Sequence, residues 1–336
     1  MRREVLEIPQ AVARLLDRSA FEMERAGAGL RELNPNVLVS VARGSSDHAA
    51  SYLQYAVELT AGVPVASLGP SIGSIYGAKL KLNKAACLAI SQSGKSPDIV
   101  AMANTAREGG ALTVALTNTP DSPLALASQH AVDIAAGPEL SVAATKTFVN
   151  SAVAGLAILA HWTRNEDLLA ALHALPRHLE DAVACDWSAF AEAVGADNSI
   201  FVLGRGPSLA IANEVALKFK ETCSIHAEAY SAAEVMHGPL ALVGPGFPVL
   251  VLASRDKAEG SVVQTADGLA GRQAAVFATS SEVQAAHRLP FATTGHWLTD
   301  PLALVTSFYS FVESLARQRG LNPDQPRNLR KVTETL

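Results

Sequence analysis

Asn36-Val37-Leu38-Val39-Ser40-Val41-Ala42-Arg43-Gly44-Ser45-Ser46 recurs in pattern as Asn198-Ser199-Ile200-Phe201-Val202-Leu203-Gly204-Arg205-Gly206-Pro207-Ser208, an offset of 162 residues (198 less 36) with Arg-Gly in the same place. An apolar run that stops at a glycine turn reads as a strand feeding a helix, and self-similarity at a fixed offset marks a duplicated unit. The register survives a second strand, because Leu88-Ala89-Ile90 falls on Leu250-Val251-Leu252 and Ser91 falls on Ala253. In both halves short Val/Ile/Leu/Ala runs alternate with helix-like segments, the pattern of a parallel sheet covered on both faces. The fold class is α/β, with two tandem units of one fold.

The second strand of the first unit ends in Ser91-Gln92-Ser93-Gly94-Lys95-Ser96-Pro97-Asp98. Unpaired N–H groups at a helix start, reinforced by the helix dipole, make such a turn a phosphate seat that needs no charged side chain. The competing reading is a capped helix start, with Ser96 as N-cap, Pro97 at the first helical position and Asp98 in the first turn. Ligands of open parallel sheets sit past the carboxyl ends of the strands, near a switch in strand order. Ser45, Ser46, Ser91, Ser93 and Ser96 can therefore converge on one phosphate, although Ser45 and Ser46 also fit a helix cap with Asp47 opening the helix. The second unit has Ala253-Ser254-Arg255-Asp256 at the equivalent place, without the glycine and with an added carboxylate. Only the first unit is expected to keep the anion loop.

The totals bound the class. A length of 336 residues favours two domains. A net charge of −5 argues against a nucleic-acid partner, so a phosphate must be held locally. Cys87, Cys185 and Cys223 are odd in number and far apart, which suggests neither a disulfide framework nor a zinc site and fits the reducing cytoplasm. Charges and Pro9 interrupt any signal-peptide core at the N-terminus. The longest apolar stretch, Ser151 to Trp162, is too short for a bilayer and reads as a buried helix. Ala11 to Leu33 reads as one long amphipathic helix, Trp162 to Asp197 as a charged, surface-exposed helical connector, and Leu321 to Leu336 as a polar tail. The domain reading is an N-terminal helical segment over 1–34, a first α/β domain with the phosphate loop over 35–175, a second over 176–318, and a C-terminal tail over 319–336.

Glu214, Lys218 and Glu221 are spaced by four and three residues and share one helix face. Such a face is either a solvated salt-bridge ladder or part of a site. The following segment, Thr222 to Pro239, holds His226, Glu228, Glu234 and His237 among small residues, at spacings that match no zincin pattern; neither a metal nor a cofactor is expected. A carboxylate that takes a proton from carbon and an imidazole that serves a ring oxygen suffice to open a cyclic sugar and move a proton between C1 and C2.

Ser91-Gln92-Ser93-Gly94, Glu139-Leu140-Ser141-Val142-Ala143-Ala144-Thr145-Lys146, Ile225-His226-Ala227-Glu228-Ala229-Tyr230, His237-Gly238-Pro239-Leu240-Ala241 and Asp324-Gln325-Pro326-Arg327-Asn328-Leu329 resemble the sugar isomerase (SIS) half of glucosamine-6-phosphate synthase over nearly the whole chain. The resemblance implies two tandem SIS domains, each a flavodoxin-like three-layer sandwich. By position it implies that Ser46, Ser91, Gln92, Ser93 and Ser96 bind phosphate and that Ser45 and Val142 touch the sugar. It gives Glu221 the isomerisation proton, His237 ring opening from the partner subunit of a homodimer, Lys218 a place in the active site, and Lys331 a bond to the open-chain ketose, with the tail as a lid. Three departures bear on the sugar: Ala144 replaces a serine, Lys95-Ser96 an acidic residue and a threonine, and Met236 a lysine.

The chain begins its sugar domain near Met1, so glutaminase activity is not expected. The resemblance extends to stand-alone SIS-type deaminases, and the expected activity is conversion of glucosamine 6-phosphate to fructose 6-phosphate and ammonia. The alternatives are a fructosamine-6-phosphate deglycase, a galactosamine-6-phosphate deaminase, a simple phosphosugar isomerase, and last a non-catalytic phosphosugar sensor. The expected partners are a phosphosugar and a second copy of the chain, with no nucleic acid and no membrane.

Overall fold

Five parallel strands carry the first repeat: β1 (Val37–Val41), β2 (Val65–Ser67), β3 (Ala85–Ile90), β4 (Leu112–Thr117) and β5 (His130–Asp133), in the order β2-β1-β3-β4-β5. The computed structural model describes residues 1–331. All six residues of central β3 are buried, as a strand covered on both faces requires. Val39, Val41, Cys87, Ala89 and Ala115 pack with Ile99, Met102, Ala103 and Ala106 of the helix Pro97–Glu108. The helix Lys146–Thr163 is buried along nearly its whole length. Phe148, Val149, Val153, Leu156, Ile158 and Leu159 each contribute about 1.5–3 kcal/mol by burial there. This compact unit comprises Glu7–Glu139 and Lys146–Pro176, joined by Arg330 and Lys331.

The second unit comprises Met1–Leu6, Leu140–Thr145 and Arg177–Leu329. Its strands β6 (Ser199–Gly204), β7 (His226–Ser231), β8 (Pro248–Val251), β9 (Ala275–Ala278) and β10 (His287–Arg288) lie in the order β7-β6-β8-β9-β10 and are parallel throughout. Counted within the repeat, this is the 2-1-3-4-5 order of the first sheet, the flavodoxin-like topology whose switch point lies between its first and third strands. The turns repeat as well. Gly44 has φ 55° and ψ −132°, and Gly206 has φ 60° and ψ −137°; each precedes a 17-residue helix, Ser45–Ala61 and Pro207–Cys223. A positive φ of this kind favours glycine, so the shared Arg-Gly pair has a backbone cause.

Three expectations are corrected. Ala11 to Leu33 is not one helix but two, Ile8–Arg18 and Ala20–Leu33, broken at Ser19, whose hydroxyl donates to the Asp133 carbonyl at 2.6 Å. The stretch from Trp162 to Asp197 is not a solvated connector. Leu168, Leu172 and Leu175, and farther along Leu179, Ala182, Trp187 and Phe190, are fully buried or nearly so, an apolar stripe hidden among charges. The helix after β1 opens at Ser45 and not at Asp47. The proposed tail over 319–336 is described as far as Lys331, and its last five positions, 332–336, lie outside the described residues. Among the described residues no helix is long and apolar enough to cross a membrane.

Candidate active site

In the first unit the carboxyl ends of β1 and β3 flank the switch point and deliver two helix N-termini to it, those of Ser45–Ala61 and Pro97–Glu108. The loop after β3 is pinned from inside. Gly94 N–H donates to Ser91 Oγ at 3.2 Å, Lys95 N–H donates to Ser93 Oγ at 3.3 Å, and Asn118 N–H donates to the Gln92 carbonyl at 3.0 Å. Ser96 is the N-cap residue of Pro97–Glu108, with Pro97 first in the helix, yet its side chain makes no capping bond. Among the described residues, the hydroxyls of Ser46 and Ser96 and the side-chain amide of Gln92 have no hydrogen-bond partner. Donors held at two helix starts and left available are what a phosphate dianion requires. Ser91 is buried and Gln92, Ser93 and Ser96 are part-buried in the loop after β3, while Ser45 and Ser46, also part-buried, open the helix after β1.

Sequence reasoning gave no role to the ion pair that ties the two turns. Arg43 Nε donates to Asp98 Oδ2 at 2.5 Å, joining the end of β1 to the first turn of the helix after β3. The Asp98 side chain is fully buried while that of Arg43 is half exposed. Lys331, also in this unit, pairs with Glu139 Oε2 at 3.1 Å. Glu139 is itself held by Thr147 Oγ1 at 2.7 Å and by Thr147 N–H at 3.2 Å.

In the second unit the predicted face of Pro207–Cys223 is a buried ionic cluster, not a solvated ladder. Lys218 Nζ donates to Glu221 Oε2 at 2.5 Å and lies 3.2 Å from Glu214 Oε1. The side chains of Lys218 and Glu214 are fully buried and that of Glu221 is 20% exposed. Burial alone pulls the Lys218 pKa down, but the charges and hydrogen bonds of Glu214 and Glu221 outweigh it and hold the ammonium above the usual lysine range. Glu221 opens onto a cavity of about 150 Å³ shared with Thr222, Ser224, Asn322, Gln325 and Arg327, so the segment after the last helix forms one wall. Val142, in the same unit, donates its N–H to the Asp324 carbonyl at 3.2 Å. His237 ends a short 3-10 helix, Glu234–His237, is exposed and does not line that cavity. No group of three or more His, Cys, Asp or Glu side chains suited to a metal is gathered among the described residues.

Two flavodoxin-like parallel sheets, one with a serine-rich anion loop at its switch point, define a tandem phosphosugar-domain protein. The SIS domain profile matches residues 34–160 and 195–284, and the chain belongs to the SIS domain family. It is 30% identical over 337 residues to the glutamine–fructose-6-phosphate aminotransferase (isomerizing) of Sulfolobus acidocaldarius, a match covering 99% of this chain and 56% of that protein. The chain thus spans little more than half the length of such relatives. Its backbone superposes with a TM-score of 0.94 on a candidate phosphosugar isomerase from Silicibacter pomeroyi DSS-3, at 57% identity over 96% of this chain and 99% of that one. The C-terminal domain of glucosamine-fructose-6-phosphate aminotransferase from Francisella tularensis shares the fold, with a TM-score of 0.84 at 24% identity over 96% of this chain and 97% of that one.

Proposed function

We propose that the chain is a cytoplasmic, homodimeric phosphosugar aldose–ketose isomerase and deaminase that converts glucosamine 6-phosphate and water to fructose 6-phosphate and ammonia. The carrying observation is Glu221: a carboxylate clamped by a buried ammonium, with its free side on a cavity. A general base must be held in place and still reach a carbon-bound proton, and this arrangement meets both needs.

In this reading Ser46, Ser91, Gln92, Ser93 and Ser96 hold the phosphate while Ser45 and the Val142 main chain contact the sugar. His237 assists ring opening. Its exposure, with Met236 and Leu242 exposed beside it, supports delivery to the site of a second copy. Glu221 takes the proton from C2 of the open-chain amino sugar and returns it to C1. The product is the C2 imine, and water adds to that carbon and displaces ammonia. Lys218 remains a fixed charge beside the base, and Lys331 is the amine that meets the open-chain ketose. Phosphate held away from the reacting carbons fixes the near-attack geometry, an effect worth up to several kcal/mol.

The test is ammonia release from glucosamine 6-phosphate by the purified protein, with galactosamine 6-phosphate and fructosamine 6-phosphate in parallel. Release from the first alone, lost in Glu221→Gln, supports the reading. Release only from another sugar moves the specificity to the surroundings of Ser45 and Ala144. Undiminished release by Glu221→Gln refutes the base assignment. Mixed dimers of Glu221→Gln and His237→Asn regain activity if the site is shared between copies; without recovery, His237 acts within its own chain or not at all.

A further inference from the structure

Tyr309 has no role in the site as assigned. It is fully buried on the helix Asp300–Gln318, and its hydroxyl donates to Glu214 Oε1 at 3.0 Å. That same oxygen lies 3.2 Å from Lys218 Nζ, which in turn donates to Glu221 Oε2 at 2.5 Å. A buried tyrosine needs a partner for its hydroxyl. Here it is Glu214, which together with Glu221 pairs with the Lys218 ammonium.

We propose that Tyr309 is a positioning residue: by donating to Glu214 it weakens that carboxylate's claim on Lys218, leaves the ammonium to Glu221, and so sets how basic Glu221 is. The inference rests on the reading of Glu221 as the proton-transfer base. Its physics is competition at low dielectric. Glu214 and Lys218 are fully buried, so solvent weakly screens their side of the competition, while Glu221, 20% exposed, keeps its free side on the cavity. Glu214 Oε1 has two donors, and each relieves the demand on the other. Among the described residues the groups facing Glu221 are these. Its own helix supplies Lys218 and Glu214, the helix Asp300–Gln318 supplies Tyr309 through Glu214, and the chain after that helix supplies Arg327, which lines the same cavity. Among the described residues Lys218 is the one cation within ion-pair distance of Glu221, and neither β6 nor β7 adds another. Since Lys218 is held as an ammonium, it cannot buffer the base by giving up its own proton.

The experiment compares two variants that the proposal sends in opposite directions. Tyr309→Phe keeps the ring and deletes one donor. Glu214 then draws Lys218 toward itself, and Glu221 becomes easier to protonate. The acidic limb of kcat/KM against pH moves up by about half a unit, roughly a threefold loss of activity on that limb. Glu214→Gln removes that competing carboxylate from Lys218 and moves the limb down. Carboxyl resonances of glutamate labelled with carbon-13 at Cδ, with Glu221 assigned by its loss in Glu221→Gln, follow the same titration without turnover. Opposite shifts support the proposal. An unmoved Glu221 titration, or shifts in the same direction, overturns it even if Glu221→Gln is inactive and the base reading stands. Opposite shifts in a protein whose Glu221→Gln variant still turns over sugar leave the positioning relation intact and remove the base reading instead.

Discussion

Gly94→Ala tests whether the loop after β3 holds its shape for a ligand. Gly94 has φ +61°, and a Cβ added there meets Ser122 Oγ at 2.1 Å, Ser122 Cβ at 2.5 Å and Thr117 Oγ1 at 2.8 Å. The left-handed backbone costs an alanine about 1–2 kcal/mol. Forcing a methyl into filled space adds roughly 1–3 kcal/mol. Against this stand single hydrogen bonds, Gly94 N–H to Ser91 Oγ at 3.2 Å and Leu124 N–H to the Gly94 carbonyl at 3.0 Å, each worth about 0.5–1.5 kcal/mol. The loop therefore yields before the packed helix does, and the phosphate seat is lost while the unit stays folded. At about 1.4 kcal/mol per decade, binding of fructose 6-phosphate weakens by roughly thirtyfold to a few thousandfold, which isothermal titration calorimetry reads directly. Adding Ser122→Gly removes the two nearest contacts but not the backbone strain, so the double variant recovers part of the loss and not all of it. Binding by Gly94→Ala within about twofold of the native protein would refute the anion-loop reading, because a Cβ 2.1 Å from Ser122 Oγ and 2.5 Å from Ser122 Cβ, on a backbone at φ +61°, is expected to shift the loop.

Arg43→Met leaves the fully buried Asp98 carboxylate without its cation. Chemical denaturation of the first unit should show a loss of about 1–3 kcal/mol, less than a fully buried pair because Arg43 is half exposed, and Arg43→Met with Asp98→Asn should recover part of it. Burial pushes the Cys87 thiol up to about 12 and the Cys223 thiol up to about 11, and both are buried whereas Cys185 is partly exposed. Mass spectrometry after alkylation of the native protein at about pH 8 should find Cys185 modified well ahead of the other two, and all three modified once the chain is unfolded. Burial, aided by Arg25, lowers the pKa of His130; burial also lowers that of His161, where Glu24 and Glu166 oppose it. Histidines depressed in the folded state bind protons more readily when unfolded, so the first unit should keep its stability above about pH 6.5 and lose it as the pH falls below. The slope of Tm between about pH 7.5 and 5.5 should flatten in His130→Gln with His161→Gln; an unchanged slope would assign the acid sensitivity elsewhere.

Both sheets were legible in the sequence because buried parallel strands are continuous apolar runs, and the first four strands of the second repeat fall where the offset puts them, while the short edge strand β10 comes about five residues earlier than the offset from β5 predicts. The break at Ser19 was not. A serine is tolerated inside a helix, and the carbonyl that receives its hydroxyl comes from Asp133, 114 positions away. The buried stripe Leu168, Leu172, Leu175, Leu179 was present in the letters, but the charges around it suggested solvent. The same ambiguity hid the nature of the Glu214–Lys218–Glu221 face. Spacing places three charges on one side of a helix and cannot say whether water or protein meets them. Tyr309 carried a weak signal: a phenol inside Leu304-Val305-Thr306-Ser307-Phe308-Tyr309-Ser310-Phe311-Val312 must find a polar partner somewhere in the core.

The divergence of the two switch points shows why a repeat can keep its fold and lose its seat. Gly206 repeats the backbone of Gly44, and a long helix starts after each, so both turns offer the same N-terminal field to an anion. At the second turn a carboxylate stands close by. Asp256 Oδ2 lies 4.0 Å from where a Cβ on Gly206 would stand. Arg255 beside it lies over the Phe291 ring at 4.1 Å and pairs with Asp300 at 3.0 Å, so its charge is also spent internally. At the first turn the equivalent positions are serines, glutamine and glycine, which donate without bringing a charge of their own. A carboxylate in one loop and hydroxyls in the other are single-residue differences on a common frame. On the proposed reading they favour a phosphate at the first turn over the second, because a carboxylate near a helix start opposes a second anion and hydroxyls do not.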